Sequence, residues 1–196
     1  MRQFRAKSAV LCVLLAAVPA VWAATTSRDQ ADVLERKVSL IMTPPPGPAG
    51  RQTPVTQDEL NSWLLFRRDR LPVGVASPQV ALLGAGRLSA QAIVDLDVVG
   101  RRRSTGGLFD PWSLLSGRVP VVVVGTLRSR NGIGQFEMES ATLSGVPVPR
   151  TIVEELVGAL SRSAEQPGGV RLDQPFVLPS RIKHVTVGRG DALVVQ

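Results

Sequence analysis

The stretch "RLSAQAIVDLDVV", Arg87 to Val99, alternates apolar and polar residues, and no other feature narrows the possible folds as far. Leu88, Ala90, Ala92, Val94, Leu96 and Val98 are apolar, while Arg87, Ser89, Gln91, Asp95 and Asp97 are polar; Ile93 and Val99 break the pattern. Successive side chains of a strand point to opposite faces, so a period of two predicts a long strand with one buried and one wet face. One-sided burial is typical of antiparallel sheets. Gly84-Ala85-Gly86 predicts a turn into this strand from a shorter one, Gln79 to Leu83.

A second hairpin follows. "PVVVVGTLRSR" and "QFEMESATL" flank Asn131-Gly132, a dipeptide suited to the two left-handed positions of a tight hairpin turn. On the return strand the apolar phase shifts from Phe136 and Met138 to Ala141 and Leu143. One extra residue near Glu139 or Ser140 accounts for the shift, so a β-bulge that bends the strand is predicted there. A last hairpin, "RIKHVTV" with "ALVVQ", closes the chain around "GRGD".

Two helices are expected beside these strands. Thr56 and Glu59 form a T-x-x-E capping box, with Leu60, Trp63 and Leu64 on one face, which predicts a helix from Thr56 to about Arg70. The prolines of "SGVPVP" feed a second helix, Thr151 to Ser163, whose Ile152, Val153, Leu156, Val157 and Leu160 form an apolar stripe. Five such side chains at ~2 kcal/mol each represent on the order of 10 kcal/mol gross. That is comparable to the whole net stability of a domain, so the stripe must be covered. The expected fold is α+β: a strongly curved antiparallel sheet wrapping the Thr151–Ser163 helix, with the Thr56–Arg70 helix packed nearby.

The N-terminal part reads differently. Arg2, Arg5 and Lys7 precede the apolar run Ala9–Val18, and Val21 and Ala23 stand where a signal peptidase needs small residues. Residues 1–23 are expected to be a signal peptide, and the protein to be exported to a periplasmic or extracellular location. A retained membrane anchor is the alternative, although the run falls short of the ~20 apolar residues of a span. Residues 24–54 are expected to hold a weak helix, Thr26 to Met42, and a Pro-rich linker, Thr43 to Pro54. A single α+β domain is expected over 55–196.

Loss of residues 1–23 removes three basic residues and no acidic ones, taking the formal charge from +7 to +4. That excess is mild and dispersed, which argues against a nucleic-acid partner. It also removes Cys12, the one cysteine, leaving burial alone to stabilise an exported chain. A hydrophobic content of 44% is sufficient for a packed core.

Signals for chemistry are sparse. His184, the sole histidine, lies in a strand pattern with no G-x-S-x-G turn in the chain and reads as structural. "SRIK", Ser180 to Lys183, matches S-x-x-K but precedes a strand and reads as a chance match. Arg189-Gly190-Asp191 reads as a hairpin turn. Neither a metal nor a cofactor is expected. The pairs Asp95/Asp97 and Glu137/Glu139 put carboxylates roughly 7 Å apart on strand faces, the one arrangement that would support a hydrolase. Solvated strand faces carry such pairs routinely, so catalytic residues are not assigned. Arg101, Arg102 and Arg103 precede "GGLFDPWSLL", with Phe109 and Trp112. A basic cluster beside an apolar loop suits contact with a membrane surface or a partner, or a pocket lid; alternatively, Phe109 and Trp112 plug the end of the core.

The order of "VTQDELNSWLL", antiparallel hairpins, "ATLSGVPVPRTIVEELVGAL" and "IKHVTVGRGDALVV" resembles bacterial exported proteins of the YpmS-like and LmeA-like sort. Their fold looks related to tubular lipid-binding (TULIP-type) domains, and the likeness covers residues 55–196. It implies a curved sheet around a helix with an apolar groove, and the handling of a lipid. Candidate groove residues are Ile152, Val153, Leu156, Val157 and Leu160 with Phe136 and Met138. The expected function is non-enzymatic binding of a lipid or other apolar cell-envelope component. The alternative is a scaffold module that holds an envelope protein through a sheet edge or the Trp112 loop.

Overall fold

A computed structural model describes residues 26–43, 50–102, 116–162, 169–172 and 174–196, with Arg102 described in its backbone only. The expected signal segment, prolines 44–46 and 48 of the expected linker, and Arg103, Phe109, Trp112 and Ser163 lie outside the described residues. The fold is α+β, with two antiparallel sheets and four α-helices among the described residues.

The large sheet is built on two long hairpins. Strands β2 (Val75–Gly84) and β3 (Arg87–Asp95) turn through Gly84-Ala85-Gly86, all three at positive φ. Strands β4 (Arg118–Arg130) and β5 (Ile133–Leu143) turn through Asn131 and Gly132 at φ 50° and 81°. Both signs suit the primed turn that the Asn-Gly pair predicts. The expected bulge is present: Val124 pairs with Ser140 and Gly125 with Met138, leaving Glu139 as the extra residue. The order is β2-β3-β4-β5-β6, where β6 is Val146–Pro147, and β7 (Phe176–Val177) pairs with the opposite end of β5.

The period-two run does not stay extended to Val98. Strand β3 stops at Asp95, and Leu96–Arg102 forms helix α3. Asp95 accepts a hydrogen bond from the Val98 N–H (3.2 Å), as a helix cap does, and Leu96 and Val99 are buried three residues apart. D-L-D-V-V satisfies a strand and a capped helix alike, and the helix wins because both apolar residues then reach the core. The other hairpin strand is longer than expected. Strand β2 extends back to Val75 across an irregularity between Ala76 and Gln79, where Ser77 takes φ 47° before Pro78.

The closing hairpin, β8 (His184–Val187) and β9 (Asp191–Val195), joins β1 (Gln52–Thr56) in a separate sheet of order β1-β9-β8. Three residues read as linker, Gln52 to Pro54, are therefore paired with β9. The two sheets are joined by Ser129, whose hydroxyl accepts from the Val185 N–H (2.7 Å) and donates to the Val185 carbonyl (2.9 Å).

Helix α1 (Arg28–Met42) is capped by Ser27 and packs on α2 (Gln57–Phe66). The capping box of α2 is formed as predicted, between Thr56 and Glu59. The α-helix ends earlier than expected, and a 3₁₀ turn covers Arg68–Arg70. Its buried face is also different: Glu59, Asn61 and Ser62 are buried, whereas Leu60, Trp63 and Leu64 are half-buried. Polar residues can occupy that face because each is bonded. Lys37 donates to both Glu59 oxygens at 2.7 and 2.8 Å, and the Ser62 hydroxyl accepts from the Ser27 N–H and donates to the Gln30 side-chain Oε1 at 3.1 Å each.

Helix α4 (Arg150–Leu160) follows Pro149 and buries Val153, Leu156 and Ala159. It ends at Leu160, before Ser163, with the Ser161 N–H and hydroxyl both donating to the Val157 carbonyl. Leu156 and Ala159 close on Val94, Val121 and Leu143 of the sheet and on Leu96 and Val99 of α3, with Ile152 and Leu160 packed at the margin. Val157 is half-buried.

Candidate functional site: an apolar sheet face

Strand pairing determines which side chains share the inner face of the large sheet. Leu88, Ala90, Ala92 and Val94 stand opposite Gly125, Val123, Val121 and Val119. Those of β4 in turn stand opposite Met138, Ala141 and Leu143, with Phe136 opposite Leu127. From β2, Val80 and Leu82 join Ala90 and Leu88. None of these side chains is charged. The face is continuous because the Glu139 bulge restores the phase of β5: without the extra residue, Ala141 and Leu143 would point outward.

Different elements cover the two ends of this face. Helices α3 and α4 cover Val94, Val121 and Leu143 at one end. At the other, β8 docks through Ser129, and the Gly86 N–H donates to Val187 (3.0 Å). Between them, Leu88, Ala90, Ala92, Phe136 and Met138 are only half-buried. The floor is low at this point. Ala90 and Ala92 are short, and the Phe136 ring lies over Gly125 so closely that a Cβ at residue 125 would fall 2.4 Å from Phe136 Cζ. The thirteen residues of β4 span ~40 Å at ~3.3 Å per residue, whereas the eleven of α4 span ~16 Å. Helix α4 is too short to roof the whole face.

The seven candidate groove residues thus divide. Val153 and Leu156 are buried and Ile152, Val157 and Leu160 are partly so, all on α4; Phe136 and Met138 sit farther along the face, away from the α4 cluster. Of the candidate contact residues, Arg101 is exposed on α3.

The strand carboxylates do not converge. Asp95 caps α3 and faces Arg118 at 3.7 Å, and Asp97 accepts from the Gly117 N–H at 3.3 Å. Glu137 pairs with Arg128 (3.1 Å), and Glu139 pairs with Arg87 (2.8 Å) and accepts from the Thr126 hydroxyl (2.7 Å). The Arg87 hydrogen bond, then that of Thr126, holds the Glu139 carboxyl below its usual pKa. The opposite shift appears in Arg87, raised first by its bond to Glu139. His184 is half-buried at the start of β8, where it pairs with Val195. Ser180 and Arg181 lie in a turn at positive φ, and no helix begins there. Arg189 and Gly190 form the β8–β9 turn, with the Gly190 N–H donating to Leu82 (2.9 Å). Among the described residues, no group of three or more His, Cys, Asp or Glu could hold a metal, and no helix is long and apolar enough to cross a membrane.

One arrangement went unread in the sequence. Gln57 and Asn61, one helical turn apart on α2, bond the exposed edge of β2. Asn61 accepts from the Val80 N–H (2.8 Å) and donates to its carbonyl (2.9 Å), and Gln57 accepts from the Leu82 N–H (2.7 Å). The two amides take the place of a neighbouring strand. Their i, i+4 spacing before a strand is the signal that could have revealed them. At the opposite edge, β6 pairs with Thr142 and Leu143 and β7 with Ile133 and Gly134. Among the described residues no strand pairs with Gln135–Ser140 on that side.

Comparison of the chain with protein-family models, curated proteins and solved structures finds no match in any of the three.

Proposed function

We propose that this chain is a non-enzymatic, exported protein that binds a lipid or other apolar component of the cell envelope on the inner face of its large sheet. One observation carries the proposal: a charge-free face along the full length of β3 and β4, with its central stretch only half-covered. An acyl chain needs a long, narrow apolar floor and no directional polar partner, and the Ala90/Ala92 floor beside Met138 has that character. The layout resemblance to tubular lipid-binding domains points the same way, and the leader-like residues 1–23 support export. Lipid mass spectrometry on the purified protein tests it, together with binding of a fluorescent fatty-acid analogue. A reproducible co-purifying lipid is expected, with analogue binding reduced by Ala92→Phe, which fills the floor. Absence of both lipid and analogue binding sinks the proposal.

The stretch of β5 that no described strand pairs favours a second reading, in which an extended segment of an envelope protein pairs with Gln135–Ser140. Capture of one such protein, lost on Glu137→Pro or Trp112→Ala while the lipid measurements stay negative, would favour it.

A further inference from the structure

The end of the large sheet away from α3 carries a second surface. Arg130, Ile133 and Val177 lie side by side on the outer face, in register across β4, β5 and β7. Ile133 is 44% exposed and Val177 77%, and Phe176, next along β7, is 40% exposed although its ring covers Gly134. Two large apolar side chains, Ile133 and Val177, therefore meet water on the outer face of one hairpin tip, while the Phe176 ring lies on the opposite face at the same tip. Exposed arginines lie on the same tip. Arg130 is exposed in the same row, and exposed Arg181 belongs to the loop that grips the turn, where the Gly132 N–H donates to the Lys183 carbonyl (2.8 Å) and the Leu178 N–H to the Gly132 carbonyl (2.8 Å), while the Lys183 ammonium donates to the Gln196 carbonyl oxygen (3.1 Å). Glu137, two rows back on that face, is engaged by Arg128.

We infer that the outer face of this tip docks on an anionic lipid bilayer, with Ile133 and Val177 entering the interface and Arg130 and Arg181 meeting the headgroups. Two side chains fall well short of the ~800 Å² per partner that a stable protein interface buries. Peripheral membrane contact has no such requirement: a few apolar side chains with a cationic rim supply both of its driving forces. Gly134 contributes by lacking a Cβ, which would stand 2.6 Å from the Phe176 ring, so the ring seats on the sheet and holds Val177 outward. The inference is separate from ligand binding on the inner face, since none of these residues belongs to the half-covered strip.

Co-sedimentation of the protein with phosphatidylcholine vesicles, with and without phosphatidylglycerol, tests the docking. Binding is expected only to the anionic vesicles. Arg130→Gln should weaken it about fivefold, the equivalent of one basic residue at an anionic surface. Ile133→Ser with Val177→Ser should weaken it about tenfold or more. Both changes are at exposed positions, and unchanged circular dichroism and melting would show that the fold is intact. Equal binding to neutral vesicles, no binding at all, or binding insensitive to both variants overturns the inference. Loss on Arg101→Gln with the tip variants unaffected overturns it as well, because that residue lies at the opposite end of the sheet.

Discussion

Glu139 shows how much one residue can organise. As the extra residue of a bulge it leaves the β4–β5 ladder, and its carboxylate is free to take Arg87 from β3 and Thr126 from β4. Its pKa is lowered in the folded chain, so the pair contributes stability above the unfolded carboxyl value of ~4 and loses it as pH falls through the folded value. Urea unfolding as a function of pH should show Glu139→Gln slightly less stable than the parent at pH 7. The two curves should converge below about pH 4. Because the pair is exposed, the difference at neutral pH should be small and should shrink in high salt. Asn61 is a buried case with larger consequences. Asn61→Ala strands the Val80 N–H and carbonyl at a covered edge and should lower stability by about 2 kcal/mol, read from the urea midpoint. The bulge was legible from the phase shift between Met138 and Ala141. For Asn61 the i, i+4 pairing with Gln57 is a signal, but it does not identify the partner, a backbone group nineteen residues away.

Among the elements, α4 and the β4–β5 hairpin depend on complementary shapes. The α4 stripe was read with Leu156 at its centre, and Leu156 is in the main cluster. Ala159 gives a weak apolar signal as a small residue, yet it is buried in the same cluster. Leu156→Ala should cost about 2–5 kcal/mol by opening a void between α4, Val121 and Leu143. Gly125→Ala errs in the other direction. Its Cβ would stand 2.4 Å from the Phe136 ring and 2.6 Å from the Glu137 carbonyl oxygen, and the latter is backbone that cannot swing away. A loss of about 1–3 kcal/mol is expected in thermal or urea unfolding. Helix α2 went the other way from its pattern: the capping box was legible, whereas its buried face was not. Leu60, Trp63 and Leu64 form a good apolar triplet, but Asn61 and Gln57 are drawn to β2 and Glu59 to Lys37. Satisfying an open strand edge outweighed burying that triplet completely.

For the molecule as a whole, α1 is the element whose place the residues least foretell. It buries Ala31 and Leu34, and polar bonds tie it to α2 and the residue after it: Trp63 donates its indole N–H to Glu35 (2.6 Å), Lys37 holds Glu59, and Arg67 holds Asp32 (2.6 Å). Its C-terminal end is stitched to the small sheet. Arg51 donates to the carbonyls of Leu40 and Thr43 and to the Gln196 side chain, and the Gln196 amide donates to the carbonyls of Ile41 and Ser180 (2.7 Å each). Arg51→Ala should therefore speed hydrogen exchange in the last turn of α1 while leaving β3, β4 and α4 protected, as mass spectrometry of deuterated peptides would show. The sequence by itself determined the local elements: the two long hairpins, both turns, the bulge, the capping box and the Pro-led amphipathic helix. Each follows from spacing within a dozen residues, where backbone sterics and alternation leave few choices. Only the tertiary structure decided that β3 ends in a helix at Leu96, that α1 and the strand before α2 join the fold, and that the closing hairpin forms its own sheet. Those outcomes depend on which distant groups satisfy one another's hydrogen bonds and cover one another's apolar surface, and a one-dimensional pattern does not carry that information. The same division applies to the half-covered inner face, whose every residue is visible in the strands but whose exposure depends on how far α4 and β8 reach.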